Sequence, residues 1–138
     1  RTYPGIRFYN IGVYDSPEQI MKDYPEGFDC VVSTEVVEHL FSPRFLPIFA
    51  ARAVRASRGH LIISTPYHGF LKNLLLSLFN HWDVHLSPLW EGGHVKLWSK
   101  KTLTQLLEKN GFEVVEFHGV GRFPFLWKSM ILVAKAKG

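Results

Sequence analysis

Phe28-Asp29-Cys30-Val31-Val32-Ser33-Thr34-Glu35-Val36-Val37-Glu38-His39-Leu40 is the stretch on which the fold turns. From Phe28 to Ser33 there is almost no polar interruption. A strand apolar on both faces is expected in the middle of a parallel sheet whose faces are covered by helices. A second run of the same kind, His60-Leu61-Ile62-Ile63-Ser64-Thr65, follows Gly59 and is stopped by Pro66. Between them Ser42-Pro43 caps a helix running to about Arg55, with Phe45, Ile48, Phe49 and Val54 on its apolar side. Pro47 falls near its first turn, where a proline costs least.

The flanks extend the pattern. Upstream, Ile6-Arg7-Phe8-Tyr9 alternates and reads as a short strand. Gly12 and Asp15 end it, and Ser16-Pro17-Glu18-Gln19 reads as a helix start with Ser16 as the cap. Pro25 and Gly27 close that helix. Downstream, residues 67–97 are the least regular: Leu71, Leu74, Leu75, Leu78 and Phe79 at helical spacing, then Trp82, Trp90 and the histidines His68, His81, His85 and His94. Ser99 caps an amphipathic helix carrying Leu103, Leu106 and Leu107, which Gly111 ends. Phe112 to Phe117 and Met130 to Ala134 are the last two strands, joined through Gly119, Gly121 and Pro124. The alternation of strands and helices is an α/β pattern, and residues 1–138 read as one domain with no repeat or linker.

Composition bounds the function. The 138 residues are 46% hydrophobic, 14% aromatic and 20% charged, which excludes a collagen, a mucin-like stalk and a disordered tail. A single cysteine, Cys30, excludes a disulfide framework and a cysteine-only zinc site. With one thiol and no signal-like start, a cytoplasmic protein is expected. The longest apolar run, Phe70 to Phe79, is broken by Lys72, Asn73 and Ser77, so no bilayer span is expected. Sixteen Lys and Arg against twelve Asp and Glu give a formal charge of +4, but the basic residues are scattered and form no nucleic-acid arm. The opening Arg1-Thr2-Tyr3-Pro4-Gly5 has no initiator methionine and reads as the start of a chain partway through a larger unit.

Glu35, Glu38 and His39 stand at relative positions 0, 3 and 4, just past a buried-type strand. In a helical turn all three project from one side. Two carboxylates and an imidazole there suit a divalent ion; the other reading is a structural or general-base use of the Glu–His pair. No cysteine or serine with a partnered base is visible, which argues against covalent catalysis.

The segments FDCVVSTEVVEHL, GHLIISTP and GGHVKLWSKKTLTQLLEKNGFEVVE, in this order and spacing, resemble the class I S-adenosylmethionine-dependent methyltransferases. The likeness is strongest to the group that includes the ubiquinone-biosynthesis O-methyltransferases, and it covers about Ile6 to Ala134. It implies a Rossmann-like α/β sheet in which these segments are the fourth strand and its turn, the fifth strand, and the helix before two antiparallel last strands. The family's glycine-rich N-terminal motif has no counterpart; Gly119-Val120-Gly121 follows a late strand and is no substitute. The chain therefore resembles the C-terminal part of the family's domain, truncated on its N-terminal side. Without the family's first strand, the Phe28–Ser33 strand would expose an unpaired edge. That edge is expected to pair with a second copy, with the early strand, or with a separate N-terminal part.

The resemblance also implies roles. Its metal-dependent members would place a divalent ion on Glu35, Glu38, His39 and His94, gripping a vicinal diol or catechol and lowering its hydroxyl pKa. Otherwise His39, with Glu38, is the base. Ser33, Thr34 and Glu35 at the strand end, and Tyr14 and Asp15 after the third strand, match cofactor-binding positions; ordinary strand-end and turn roles stand beside that reading. Tyr67, His68 and His94 are expected at the acceptor, and residues 67–97 form an insert covering it. Its leucines and aromatics suit a lid over an apolar acceptor or plain core. The function implied is S-adenosylmethionine-dependent methylation of a small-molecule acceptor, on oxygen. The alternatives are an incomplete methyltransferase-like module that dimerises or binds, and an unrelated doubly wound protein; the latter predicts a phosphate loop absent here.

Overall fold

The two apolar runs pair with each other first. In the computed structural model, which describes residues 4–138, β1 (Cys30–Thr34) and β2 (His60–Pro66) are parallel, in register from Cys30 opposite His60 to Thr34 opposite Ser64. A parallel pair needs a crossover, and α2 (Phe45–Ala53) supplies it. β4 (Ser129–Ala136) runs antiparallel to β2, and β3 (Phe112–Val120) antiparallel to β4, giving the order β1-β2-β4-β3. A bulge between Val114 and Glu116 shifts the β3 register. The expected antiparallel last pair is therefore present. Arg1 to Tyr3 of the opening stretch lie outside the described residues.

The core forms where the sheet meets its helices. Leu61, Ile63, Leu103, Leu107, Phe112, Met130 and Leu132 have no exposed surface. Each contributes about 1.5–3 kcal/mol by leaving water. Leu103 and Leu107 come from α5 (Lys100–Glu108), which packs on β3 and β4. Its start is the expected one: Ser99 Oγ accepts from the Thr102 amide at 3.2 Å and Thr102 Oγ1 accepts from the Ser99 amide at 3.1 Å. Gly111, at φ +91°, ends it in a conformation that favours glycine.

Four expectations are corrected. β1 lies at the sheet edge, as expected of a chain without the family's first strand and not in the middle as its apolar run alone suggests: among the described residues it has a neighbour on one side only, and Val32 is 61% exposed. Ile6 to Tyr9 form no strand, because nothing among the described residues pairs with them; Tyr9 Oη donates to Asp23 Oδ2 at 2.5 Å and Arg7 reaches the same oxygen at 3.1 Å. Ser16 caps nothing: α1 (Glu18–Asp23) starts from the Pro17 carbonyl, which accepts from the Met21 amide, and Ser16 Oγ is buried without a partner. The buried face of α2 is Leu46, Pro47, Ala50 and Ala53, with Phe45, Ile48 and Phe49 only half-buried beside it.

Between β2 and α5 the chain forms α3 (Phe70–Leu78), α4 (Trp82–Leu86) and an irregular return. No residue of α3 or α4 is fully buried. Among the described residues no helix is long and apolar enough to cross a membrane.

Candidate active site

The carboxyl ends of β1 and β2 point to the same side of the sheet because the strands are parallel. In an open α/β sheet that is where ligands bind. The chain leaves β1 through Glu35, whose φ of +51° is a left-handed conformation that costs a non-glycine residue about 1–2 kcal/mol. Three hydrogen bonds offset it. The Glu35 amide donates to the Ser64 carbonyl at 3.0 Å, and the hydroxyls of Ser64 and Ser129 both donate to Glu35 Oε1 at 2.8 Å. The carboxylate is thus folded over the ends of β2 and β4.

That turn separates the three side chains that helical spacing would have grouped. After it, Val37–His39 form a short 3-10 helix that drives Val37 into the core and buries Glu38 to 1% exposure. Thr65 Oγ1 donates to Glu38 Oε2 at 2.9 Å, while Oε1 is buried with no hydrogen-bond partner. Burial pushes the Glu38 carboxyl above its ordinary range, against the Thr65 bond and the nearby His39. His39 Nε2 lies 3.7 Å from that Oε1. His39 Nδ1 is 3.2 Å from the Gly93 carbonyl, which can only accept, so Nδ1 carries the proton and neutral His39 keeps a lone pair at Nε2.

His94 completes the group. Its Nδ1 is buried and unpartnered, its ring centre is 5.1 Å from that of His39, and ligand atoms of Glu38, His39 and His94 all lie within 4.8 Å of one another. The return segment is held there by backbone: the amides of Val95 and Lys96 both donate to the Glu38 carbonyl at 3.0 Å. Glu35 stands apart from this trio and faces a cavity instead.

The cavity, about 680 Å³, is lined by Glu35, Pro66, Lys72, Val84, His85, His94, Lys128 and Ser129. A larger bowl of about 720 Å³ lies against Asp83, Val84, Leu89 and Trp90 on the 82–90 segment, but it offers one carboxylate and no convergent polar groups, so the chemistry belongs to the first. His68 is buried beneath it, with Nδ1 3.0 Å from Asn73 Oδ1, Nε2 3.0 Å from His85 Nε2, and its ring stacked on Trp82. Burial lowers the pKa of both imidazoles, that of His85 to about 4, with Lys72 adding to the effect in each. Tyr67 turns the other way, into the core against Trp127, and closes over Gly69. Lys72 interrupts an apolar stretch in the sequence, and nothing there marked it; in the fold its ammonium donates to the Trp127 carbonyl at 3.1 Å and the Lys128 carbonyl at 3.4 Å at the cavity wall.

On the other side of β1 a groove of about 330 Å³ is lined by Val13, Val32, Ser33, Thr34, Val36 and Phe49. Asp15 is not aimed into it: its Oδ2 accepts from the Gly12 amide at 2.7 Å, closing the turn. Tyr14 is exposed, its ring edge against Phe45 and its hydroxyl at the Ser42 amide.

A family model described as a methyltransferase domain matches residues 6–117, most of the chain and the site apart from the Lys128 and Ser129 side of the cavity. The chain belongs to the methyltransferase-domain family. A search of the curated proteins returns no significant match. Solved methyltransferases share the fold. Over 80% of this chain it resembles magnesium protoporphyrin IX methyltransferase of Synechocystis, a structure with bound S-adenosylhomocysteine, at 18% identity and a TM-score of 0.57, matching 46% of that chain. An O-methyltransferase family protein from Burkholderia thailandensis matches 96% of this chain and 36% of its own at 16% identity, TM-score 0.64. A didemethyltoxoflavin N1-methyltransferase of the same organism, with its substrate and S-adenosylhomocysteine bound, matches 82% of this chain and 45% of its own at 12% identity, TM-score 0.58. This methyltransferase domain thus spans under half the length of each of those three, and its sheet is the corresponding part of the Rossmann-like class I architecture.

Proposed function

We propose that this domain carries S-adenosylmethionine-dependent O-methylation of a small-molecule acceptor, with His39 as the base. The observation that carries the reading is the tautomer of His39: its Nδ1 proton is given to the Gly93 carbonyl, which leaves Nε2 basic at the carboxyl end of a parallel strand pair. The donor supplies an electrophilic methyl group on a sulfonium. The chain's part is to hold an acceptor hydroxyl in line with that methyl and take its proton at His39 Nε2, while buried Glu38 stabilises the imidazolium formed. Residues 67–97 cover the site, tied down through the Glu38 carbonyl and the His68–His85 contact.

The groove beside β1 fits part of the donor. Ser33 and Thr34 bring polar strand-end backbone and Val13 and Val36 an apolar wall, which suit its methionine and adenine parts respectively. Among the described residues no acidic side chain points into the groove, since Asp15 is spent on its own turn; Tyr14 and Asp15 have the weaker claim. A divalent ion fits three of the four residues expected to hold one. Glu38 Oε1 and His94 Nδ1 are buried without partners, and His39 Nε2 is a free lone pair beside them. Such an ion would be held by Glu38, His39 and His94, without Glu35; it would occupy the His39 Nε2 lone pair and so would activate the hydroxyl in place of the His39 base, by lowering the pKa of a bound hydroxyl.

The bare side of β1 supports one other reading, in which the chain pairs through that edge with a second copy and serves as a binding or dimerising module. Isothermal titration with S-adenosylhomocysteine separates the two. Binding at micromolar to submillimolar ligand, abolished by bulky substitution of Thr34, supports the methyltransferase reading; no heat at millimolar ligand overturns it.

A further inference from the structure

We propose that the acceptor is an anion: that the cavity over the ends of β2 and β4 takes a hydroxylated small molecule through a carboxylate or phosphate group held by Lys72 and Lys128. The proposal rests on the methyltransferase reading for the word acceptor, and on the cavity alone for the charge.

Two ammonium groups and one carboxylate line the space, with His85 and His94 beside them. The carboxylate keeps its charge while Glu35 Oε1 accepts from Ser64 and Ser129 at 2.8 Å, so the two lysines leave one positive charge in excess. Lys72 is partly buried, which works against its charge, and the Glu35 carboxylate nearby favours that charge. The two bonds of Lys72 go to backbone carbonyls, which fix the ammonium without cancelling its charge, and one of its three donors remains. Lys128 is exposed, its backbone is pinned by a 2.9 Å bond to the Val120 carbonyl, and none of its side-chain atoms is in an ion pair among the described residues. A fixed cation, an exposed cation and two imidazoles around about 680 Å³ match a compact oxyanion on a sugar-sized molecule. The exposed leucines of α3 lie outside this cavity, so a purely apolar quinone-like acceptor would leave both lysines unpaired.

The test follows the imidazole NMR signals of His85 and His94 at constant ionic strength while glucuronate, glucose 6-phosphate or glucose is added to the full chain. Saturable shifts with either anion and none with glucose support the proposal, and the anion that acts tells carboxylate from phosphate. Lys128→Met, at an exposed position that does not contribute to the core, is expected to weaken the anion about tenfold, and Lys128→Arg to retain it. Equal shifts with glucose, no shift with either anion, or unchanged affinity in Lys128→Met overturns it. S-adenosylhomocysteine titrated in parallel keeps the two readings apart. Anion binding without it removes only the methyltransferase reading; its binding, with glucose preferred to the anions, removes only this one.

Discussion

His68 Nε2 and His85 Nε2 lie 3.0 Å apart, and only one of them can carry the proton between them. The assignment of Asn73 Oδ1 opposite His68 Nδ1 places a proton on that nitrogen, so His68 accepts at Nε2 and His85 donates. The pair joins the end of β2 to α4, and it holds only while His68 stays neutral.

Acid therefore loosens this corner. His85 is held at about 4 in the fold, against about 6.5 in an unfolded chain. A lowered histidine pKa means the unfolded state binds the proton more readily. The contribution is complete above pH about 6.5 and is lost as pH falls toward 4, amounting to about 2–3 kcal/mol. Urea melts between pH 4 and 8 should show this slope in the native protein and a flatter one in His85→Gln. Equal slopes would assign the acid sensitivity elsewhere.

Glu38 carries the opposite sign. Its carboxyl is raised by burial, so its neutral form suits the fold and ionisation costs stability as pH rises through the folded value. Glu38→Gln keeps the acceptor for Thr65 and removes the charge. We expect it to be more stable than the native chain by about 1 kcal/mol at pH 8 and equal to it at pH 4. Methyl transfer, if assayed, should fall at every pH.

The two serines on Glu35 should not act independently, because both donate to one oxygen. Ser64→Ala and Ser129→Ala are each expected to cost about 1–2 kcal/mol as bonds to a charged group. The double variant should cost measurably more than the sum, because in each single variant the remaining bond strengthens and masks part of the loss. Strict additivity in urea melts would mean the carboxylate is not shared in this way.

A divalent ion, if the trio holds one, should raise the melting temperature. Manganese or zinc added to the native protein is expected to stabilise it, and His94→Ala or Glu38→Gln to abolish the effect. Glu35→Gln should leave it intact, which distinguishes the trio observed from the quartet expected of the sequence.

Much of this was legible in the residues. The apolar runs at Val31–Val32 and Leu61–Ile63 are strands as read, the second buried and the first at the open edge, and Ser99 with Thr102 caps α5 as written. The open edge of β1 was legible only through family likeness, since an apolar strand by itself looks the same whether or not its second neighbour is present. Glu35 was grouped with Glu38 and His39 because side-chain spacing assumes a helical backbone, and its positive φ is invisible to spacing. His94 joined the site through family likeness, not through any local signal. Lys72 and the His68–His85 contact depend on how residues 67–97 fold back, which no local pattern encodes. Ser16 misled because a cap sequence is only an offer; Pro17 took the role instead.

The open flank of β1 has a practical side. Cys30, Val32 and Thr34 alternate along it with their faces to water, beside backbone groups that meet no partner among the described residues. Such a flank recruits strands from neighbouring molecules as concentration rises. Purified samples will therefore cloud and precipitate on concentration, sooner without reductant because the Cys30 thiol is exposed, and a lysine at position 32 should keep them clear.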